Sequence, residues 1–302
     1  MGDQRFVVDV FLRLVFERDF ISPPLSSKII KFLIDSGRFL GFLRDLSLSR
    51  DKYKLLFISN LYSSEGLRIY SSGSGGGSSP RVLVGGVEYF GRVSFVSSSD
   101  VLGEVLNASS AKIDFEYGSA RNSVYIEVVS VEVSDLDHLS IDLSNKILIR
   151  FITPTILSPK LMMPPSLSDK PKYKRLPVAN LLMPVPGVLI AYTMKLWNNA
   201  APPQKKFTYP NDKDDIYVYK TAVLGTIFTE VINIRVIPET IIIGRDEKDK
   251  IRKTKGFRGH VIMKINHPRI RRVAEKTLAL AKHLGVGRSR GLGLGEIDIR
   301  KI

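Results

Sequence analysis

The chain has 302 residues, a length that accommodates about two domains of ~150 residues each, and 44% of them are hydrophobic, which excludes a disordered polycation. Lys and Arg outnumber Asp and Glu by 45 to 30, a formal net charge of +15 at pH 7. Cysteine is absent, which excludes disulfide scaffolds, thiol nucleophiles, iron–sulfur clusters and cysteine-ligated zinc.

The opening Met1-Gly2-Asp3-Gln4-Arg5-Phe6 lacks the positive n-region, apolar h-region and cleavage site of an export signal, so cytoplasmic residence is expected. Val8, Val10, Leu12, Leu14 and Phe16 then recur at period two, which predicts a strand over Arg5 to Phe16. Pro23-Pro24 stops it, Ser26 or Ser27 offers an N-cap, and Lys28 to Ser36 reads as a short helix closed by Gly37. Strands are predicted at Lys54–Tyr62 and, after the Gly- and Ser-rich segment Ser71–Ser79, at Arg81–Phe95. Ser99 caps a helix reaching Asn107, and Val124–Val133 is a β-branched strand. The order is β-α-β-β-α-β.

A second pass begins with a strand at Lys146–Ile152 and a proline-rich connection from Pro154 to Pro186. A helix is predicted at Gly187–Asn199, and strands at Ile216–Leu224, Val231–Val236 and Gly256–Ile265. His267-Pro268 opens a helix with Ile270, Val273, Ala274, Leu278, Ala281 and Leu284 on one face, Gly285 ends it, and Glu296–Arg300 alternates as a last strand. The expectation is an α+β chain of two tandem ferredoxin-like domains, residues 1–142 and 143–302. The apolar run Leu181 to Trp197 is interrupted by Pro184, Pro186 and Lys195, so no membrane span is expected.

The basic residues cluster: Lys170, Lys172, Lys174 and Arg175; Arg245 to Arg258; Arg269, Arg271 and Arg272; Arg288 and Arg290. No apolar helical face with flanking aromatics accompanies them, so a nucleic acid is favoured over a membrane surface. The densest signal is Gly285-Val286-Gly287-Arg288-Ser289-Arg290-Gly291-Leu292-Gly293-Leu294-Gly295. Five glycines bring backbone N–H groups close to a partner, and two guanidinium forks suit phosphate. A flexible connection is the bland alternative. Neither nucleotide-loop pattern, G-x-x-x-x-G-K-[ST] or G-x-G-x-x-G, is matched.

The spacing Gly285-x-Gly287, five residues, Gly293-x-Gly295 resembles the C-terminal glycine-rich motif of the CRISPR-associated endoribonucleases, in the repeat-associated mysterious protein superfamily, that cut precursor RNA inside its repeats. Pro23–Lys31, Lys52–Leu61 and Phe151–Thr155 sit in the matching order, and the archaeal, crenarchaeal-type branch is the nearest likeness. The resemblance implies cleavage without metal or cofactor, by attack of the ribose 2′-OH on the adjacent phosphate, leaving a 2′,3′-cyclic phosphate and a 5′-OH. That chemistry needs a base, an acid and cations around the phosphate.

Many members of that family use a histidine from the first helix region, and residues 26–37 contain none. Lys28, Lys31 and Lys54 are the substitutes the resemblance implies. Lys28 and Lys31 share a helical face, and a free lysine with a pKa of ~10.4 serves as acid or electrostatic stabiliser unless neighbouring cations depress it. The family's basic hairpin resembles Lys250–Gly259, where Arg252 and Lys255 are candidates to complete a phosphate cage and Arg258 to track the RNA backbone. Gly285, Gly287, Arg288, Ser289, Arg290, Gly293 and Gly295 are the remaining candidate RNA contacts. His260 and His283 read as structural, Trp197 as core, and Asp212, Asp214, Asp215, Asp246, Glu247 and Asp249 as solvated turns.

The expected partner is CRISPR repeat RNA, with a CRISPR effector complex and a homodimer through the segment Leu161 to Pro186 as further partners. Two rivals stay open: a non-catalytic guide-RNA scaffold of the same superfamily, favoured by the missing histidine, and a general RNA-binding protein.

Overall fold

The computed structural model describes residues 4–72, 81–98, 102–117, 120–168, 170–208, 214–245, 248 and 250–302. Most of the Ser71–Ser79 linker, the Ser99 cap, and Asp212, Asp246, Glu247 and Asp249 lie outside those residues. The chain forms two compact units. One holds Met1–Asp135, Thr240–Thr254 and Ser289–Gly293, and the other Leu136–Glu239, Lys255–Arg288 and Leu294–Ile302.

The first unit begins with β1 (Arg5–Phe16), β2 (Phe20–Ile21), α1 (Ser27–Asp35), α2 (Arg44–Leu48) and β3 (Leu56–Ile58). It continues through β4 (Val82–Leu83), β5 (Glu88–Ser98), α3 (Leu102–Asn107), β6 (Ser110–Tyr117) and β7 (Ala120–Asp135). Its sheet runs β3-β5-β1-β7-β6, with every neighbouring pair antiparallel. Val8, Val10, Leu12, Leu14 and Phe16 are each at most 1% exposed and join Ile29, Ile30, Leu33 and Ile34 of α1 in one core. Each such side chain contributes roughly 1.5–3 kcal/mol of transfer free energy, so the period-two face of β1 and the apolar stripe of α1 specify each other.

The second unit contains β8 (Ile147–Thr155), the short helices α4 (Pro165–Ser168) and α5 (Pro171–Arg175), then α6 (Pro186–Ala200) and α7 (Asp214–Ile227). After them come β9 (Thr229–Arg245), β10 (Ile251–Ile265), α8 (Pro268–Leu284) and β11 (Ile297–Lys301), of which the end of β9 from Thr240 and the start of β10 to Thr254 belong to the first unit. The sheet order β11-β8-β10-β9 is the fourth-first-third-second arrangement of a split β-α-β fold. Trp197 is buried, its indole N–H donating to the Lys205 carbonyl at 3.0 Å. Among the described residues no helix is long and apolar enough to cross a membrane.

Three expectations are corrected. Ile216–Leu224 is helical within α7, because tertiary packing outweighs its β-branched and aromatic content. Val218, Thr221, Ala222 and Gly225 recur at helical spacing on the buried side, and Gly225 lies so close to Gly187 of α6 that a Cβ there would sit 2.8 Å from the Gly187 Cα. Arg81–Phe95 is two strands, since Gly86 adopts φ +74 and turns the chain between β4 and β5. Ser26 does not cap α1: its hydroxyl donates to the Ile69 carbonyl at 2.5 Å and accepts from the Leu61 N–H at 2.8 Å. The strand β6 is an addition to the expected order.

Candidate active site

In the first unit α1 presents two lysines whose surroundings differ. Lys28 is half-buried, with its Nζ packed against Gly244 of β9, where an added side-chain carbon would stand 2.7 Å away. Burial first, then the charge of Arg252 at the start of β10, hold its pKa below the ordinary lysine value. Among the described residues no hydrogen-bond acceptor meets its ammonium group.

Lys31, one turn later, is engaged. Its Nζ donates to Asp35 at 2.7 and 3.0 Å and to the Ser47 hydroxyl at 2.8 Å, while that hydroxyl donates to Asp35 Oδ1 at 2.6 Å. The i,i+4 spacing of Lys31 and Asp35 is what brings the pair together on one helix.

Lys54 precedes β3 and donates from Nζ to the Ser47 carbonyl at 2.8 Å. Its pKa is also lowered, by burial first and then by the charges of Lys31 and Arg290, with Asp35 and Asp51 opposing. Lys31 and Lys54 therefore meet through one residue, Ser47 of α2, which is 2% exposed.

Arg290 is 3% exposed, and its Nη2 donates to the Lys54 carbonyl at 2.6 Å. Expected as a guanidinium fork for phosphate, Arg290 has its side chain buried here, where it fixes the backbone of Lys54. Gly291 lies against the same side chain, with a Cβ there only 3.2 Å from Lys54 Cε. Asn60 completes the seating of this turn, donating to the Gly293 carbonyl at 2.8 Å and accepting from the Ser27 N–H at 3.3 Å. Gly293 has φ +74, and a Cβ there would come within 2.4 Å of the Asn60 amide nitrogen. Only glycine fits.

The glycines were also expected to lend N–H groups to a phosphate. Gly285, Gly287, Gly293 and Gly295 are all buried. The N–H of Gly285 donates to Ala281, that of Gly293 to Arg290 and that of Gly295 to Pro154, all at 2.8–3.1 Å. The N–H groups of Gly285, Gly293 and Gly295 are thus engaged within the protein. Ser289 is partly buried in the left-handed region at φ 63. Arg288, in the second unit, is exposed, and its N–H donates to the Ile156 carbonyl at 2.9 Å.

The second unit also carries Lys255 and Arg258, both exposed on β10. The Lys255 carbonyl accepts from Asn180 at 3.0 Å, and Arg258 Nε lies 3.5 Å from Glu239. All four histidines, His138, His260, His267 and His283, belong to this unit. Asp35, Ser47 and Asn60 are site residues that no motif in the sequence marks. Only the i,i+4 pairing of Lys31 with Asp35 was there to be seen.

The arrangement in the first unit is thus cationic and partly desolvated, with Lys28 beside Arg252 and Lys54 beside Lys31 and Arg290. Such a set stabilises negative charge, and amines held below their ordinary pKa exchange protons more readily near neutral pH.

Residues 8–133 match the model of the Cas6 N-terminal domain, and residues 149–297 match that of the CRISPR-associated endoribonuclease Cas6. Two proteins of Saccharolobus solfataricus, described as CRISPR-associated endoribonucleases Cas6 1 and Cas6 2, are each 31% identical over 94% of this chain and 93% of their own. In fold, the chain is similar to Thermus thermophilus Cas6, with a TM-score of 0.59 at 14% identity over 99% of this chain and 100% of that one. A Cas6 product complex gives 0.61 at 17% identity, over 98% and 100%. With both halves matched in order and the identity sustained over nearly the whole length, this chain belongs to the CRISPR-associated Cas6 endoribonuclease family.

Proposed function

We propose that this protein cuts precursor CRISPR RNA within the repeat, without metal, by internal attack of a ribose 2′-OH. The 2′-oxygen bonds to the adjacent phosphorus as its proton passes to a base. The bond from phosphorus to the 5′-oxygen breaks as that oxygen takes a proton from an acid, leaving a 2′,3′-cyclic phosphate and a 5′-OH. Lys28 and Lys54 are the proton-exchanging amines, with Arg252 stabilising charge on the phosphorane. Lys31, held by Asp35 and Ser47, positions Lys54 and raises the local positive field. Lys255, Arg258 and Arg288 hold phosphates along the strand, which supplies affinity and makes it salt dependent.

The observation that supports this reading is the pair of half-buried lysines on α1 and before β3, each with a lowered pKa and each beside an arginine. The test is single-turnover cleavage of an end-labelled repeat RNA in excess EDTA, alongside a substrate with a 2′-deoxy sugar at the cut. One sharp EDTA-resistant cut, abolished by the deoxy sugar, is the expected result. Tight binding with no cut would make the chain a guide-RNA scaffold whose lysines hold phosphates.

A further inference from the structure

A cavity of about 480 Å³ opens in the second unit between α7 and the start of α8. None of the residues assigned to cleavage lines it. Its floor is apolar, from Leu224, Ile270 and Val273, and its walls include the rings of Phe207 and Tyr217. Phe207 is held rigidly: its ring packs on Trp197 with centroids 6.0 Å apart, and its backbone N–H and carbonyl both bond the Asn198 side chain, at 2.8 and 3.1 Å.

The rim is cationic. Lys220, Arg269 and Arg272 line it and are exposed, and among the described residues no carboxylate lines it. His267 also lines the cavity. Its Nδ1 accepts from the N–H groups of Arg269 and Ile270 at 3.2 and 3.4 Å, which leaves the ring proton on Nε2. Because that imidazole caps the helix, the first N–H groups of α8 are taken up within the protein, and the positive character of the site resides in its side chains.

An apolar floor, fixed aromatic walls and a rim of three cations are what a nucleotide requires: a base to stack, and a phosphate to meet guanidinium and ammonium groups. We propose that this cavity is a nucleotide-binding site, taking either a free nucleotide or one nucleotide of a single RNA strand. The base lies against Phe207 and Tyr217, and the phosphate lies on Arg269, Arg272 and Lys220. The site stands whether or not the chain cuts RNA.

The test uses the intact chain with three probes: adenosine 5′-monophosphate, a single-stranded ten-nucleotide RNA, and inorganic phosphate. Affinities are measured by titration calorimetry for the wild type, for R269Q/R272Q, for Tyr217→Ala, and for K146Q/R150Q. The last removes two exposed cations elsewhere on the same unit and so controls for net charge. R269Q/R272Q is expected to weaken a nucleotide probe by about tenfold relative to that control, and Tyr217→Ala to weaken it without altering phosphate binding. Loss of the monophosphate assigns the site to a free nucleotide, and loss confined to the ten-nucleotide strand assigns it to RNA. Equal affinities in R269Q/R272Q and the control would overturn the proposal, as would inorganic phosphate binding as tightly as the monophosphate.

Discussion

Arg290 donates from Nη2 to the backbone carbonyl of Lys54 at 2.6 Å, from a position 3% exposed to solvent. An arginine in the glycine-rich motif thereby fixes the main chain from which a candidate catalytic lysine projects. Its positive charge also lowers the pKa of that lysine. Arg290→Ala is therefore expected to cost about 1.5–3 kcal/mol of stability, the size of a lost charged hydrogen bond, and to reduce cleavage more than RNA affinity. Urea unfolding and single-turnover kinetics on the same variant check both.

The three lysines should separate. Lys28→Ala and Lys54→Ala are expected to lower the single-turnover rate by about 10²–10⁴-fold, the range for a lost proton-transfer group, with a much smaller change in affinity. Lys31→Ala should cost less, because Lys31 is already engaged by Asp35 and Ser47 and acts through its neighbours. Equal losses in all three variants would remove the distinction.

The pH dependence follows from the depressed lysines. One amine has to be neutral to accept the 2′-OH proton and the other charged to donate, so the rate should rise and then fall, with both limbs below the 10.5 of an unperturbed lysine. Asp35 raises the pKa of Lys54, so Asp35→Asn should move the Lys54 limb to lower pH. Stability has its own sign. Burial penalises the charged Lys28 fully below its folded pKa, and the penalty disappears as pH rises through the window up to 10.5. Lys28→Met should therefore be more stable than wild type at pH 7, with the difference shrinking as pH climbs through that window in a series of thermal melts.

Two glycines with similar backbone angles should respond differently to alanine. Gly37, at φ +71, has nothing within 4 Å of an added Cβ, so Gly37→Ala is expected to cost only the backbone term, roughly 1–2 kcal/mol. Gly293 adds a clash with Asn60, and Gly293→Ala should cost roughly 2–5 kcal/mol. Denaturant midpoints at constant m-value make the comparison.

Arg288 is exposed beside buried glycines, so its removal should leave the turn intact. Arg288→Ala is expected to weaken binding across RNA sequences and to reduce the slope of log affinity against log salt by about one. An unchanged slope in a salt titration would show that Arg288 meets no phosphate.

Sequence periodicity alone determined β1 and α8, because each buries a continuous apolar face whose spacing is set by the backbone repeat. The glycine-rich motif is visible in one dimension as well, and the resemblance it carries is what marked Lys28, Lys31 and Lys54. Tertiary structure alone decided how they differ. Lys31 is engaged because α2 brings Ser47 beside Asp35, and Arg290 points inward because the turn from Ser289 to Gly293 seats against Asn60 and Lys54. The helix α7 also needed the third dimension, since its β-branched and aromatic residues favour a strand until the contact of Gly225 with Gly187 rewards the helix. Burial and the pairing of charges depend on residues far apart in the chain, and no local pattern carries them.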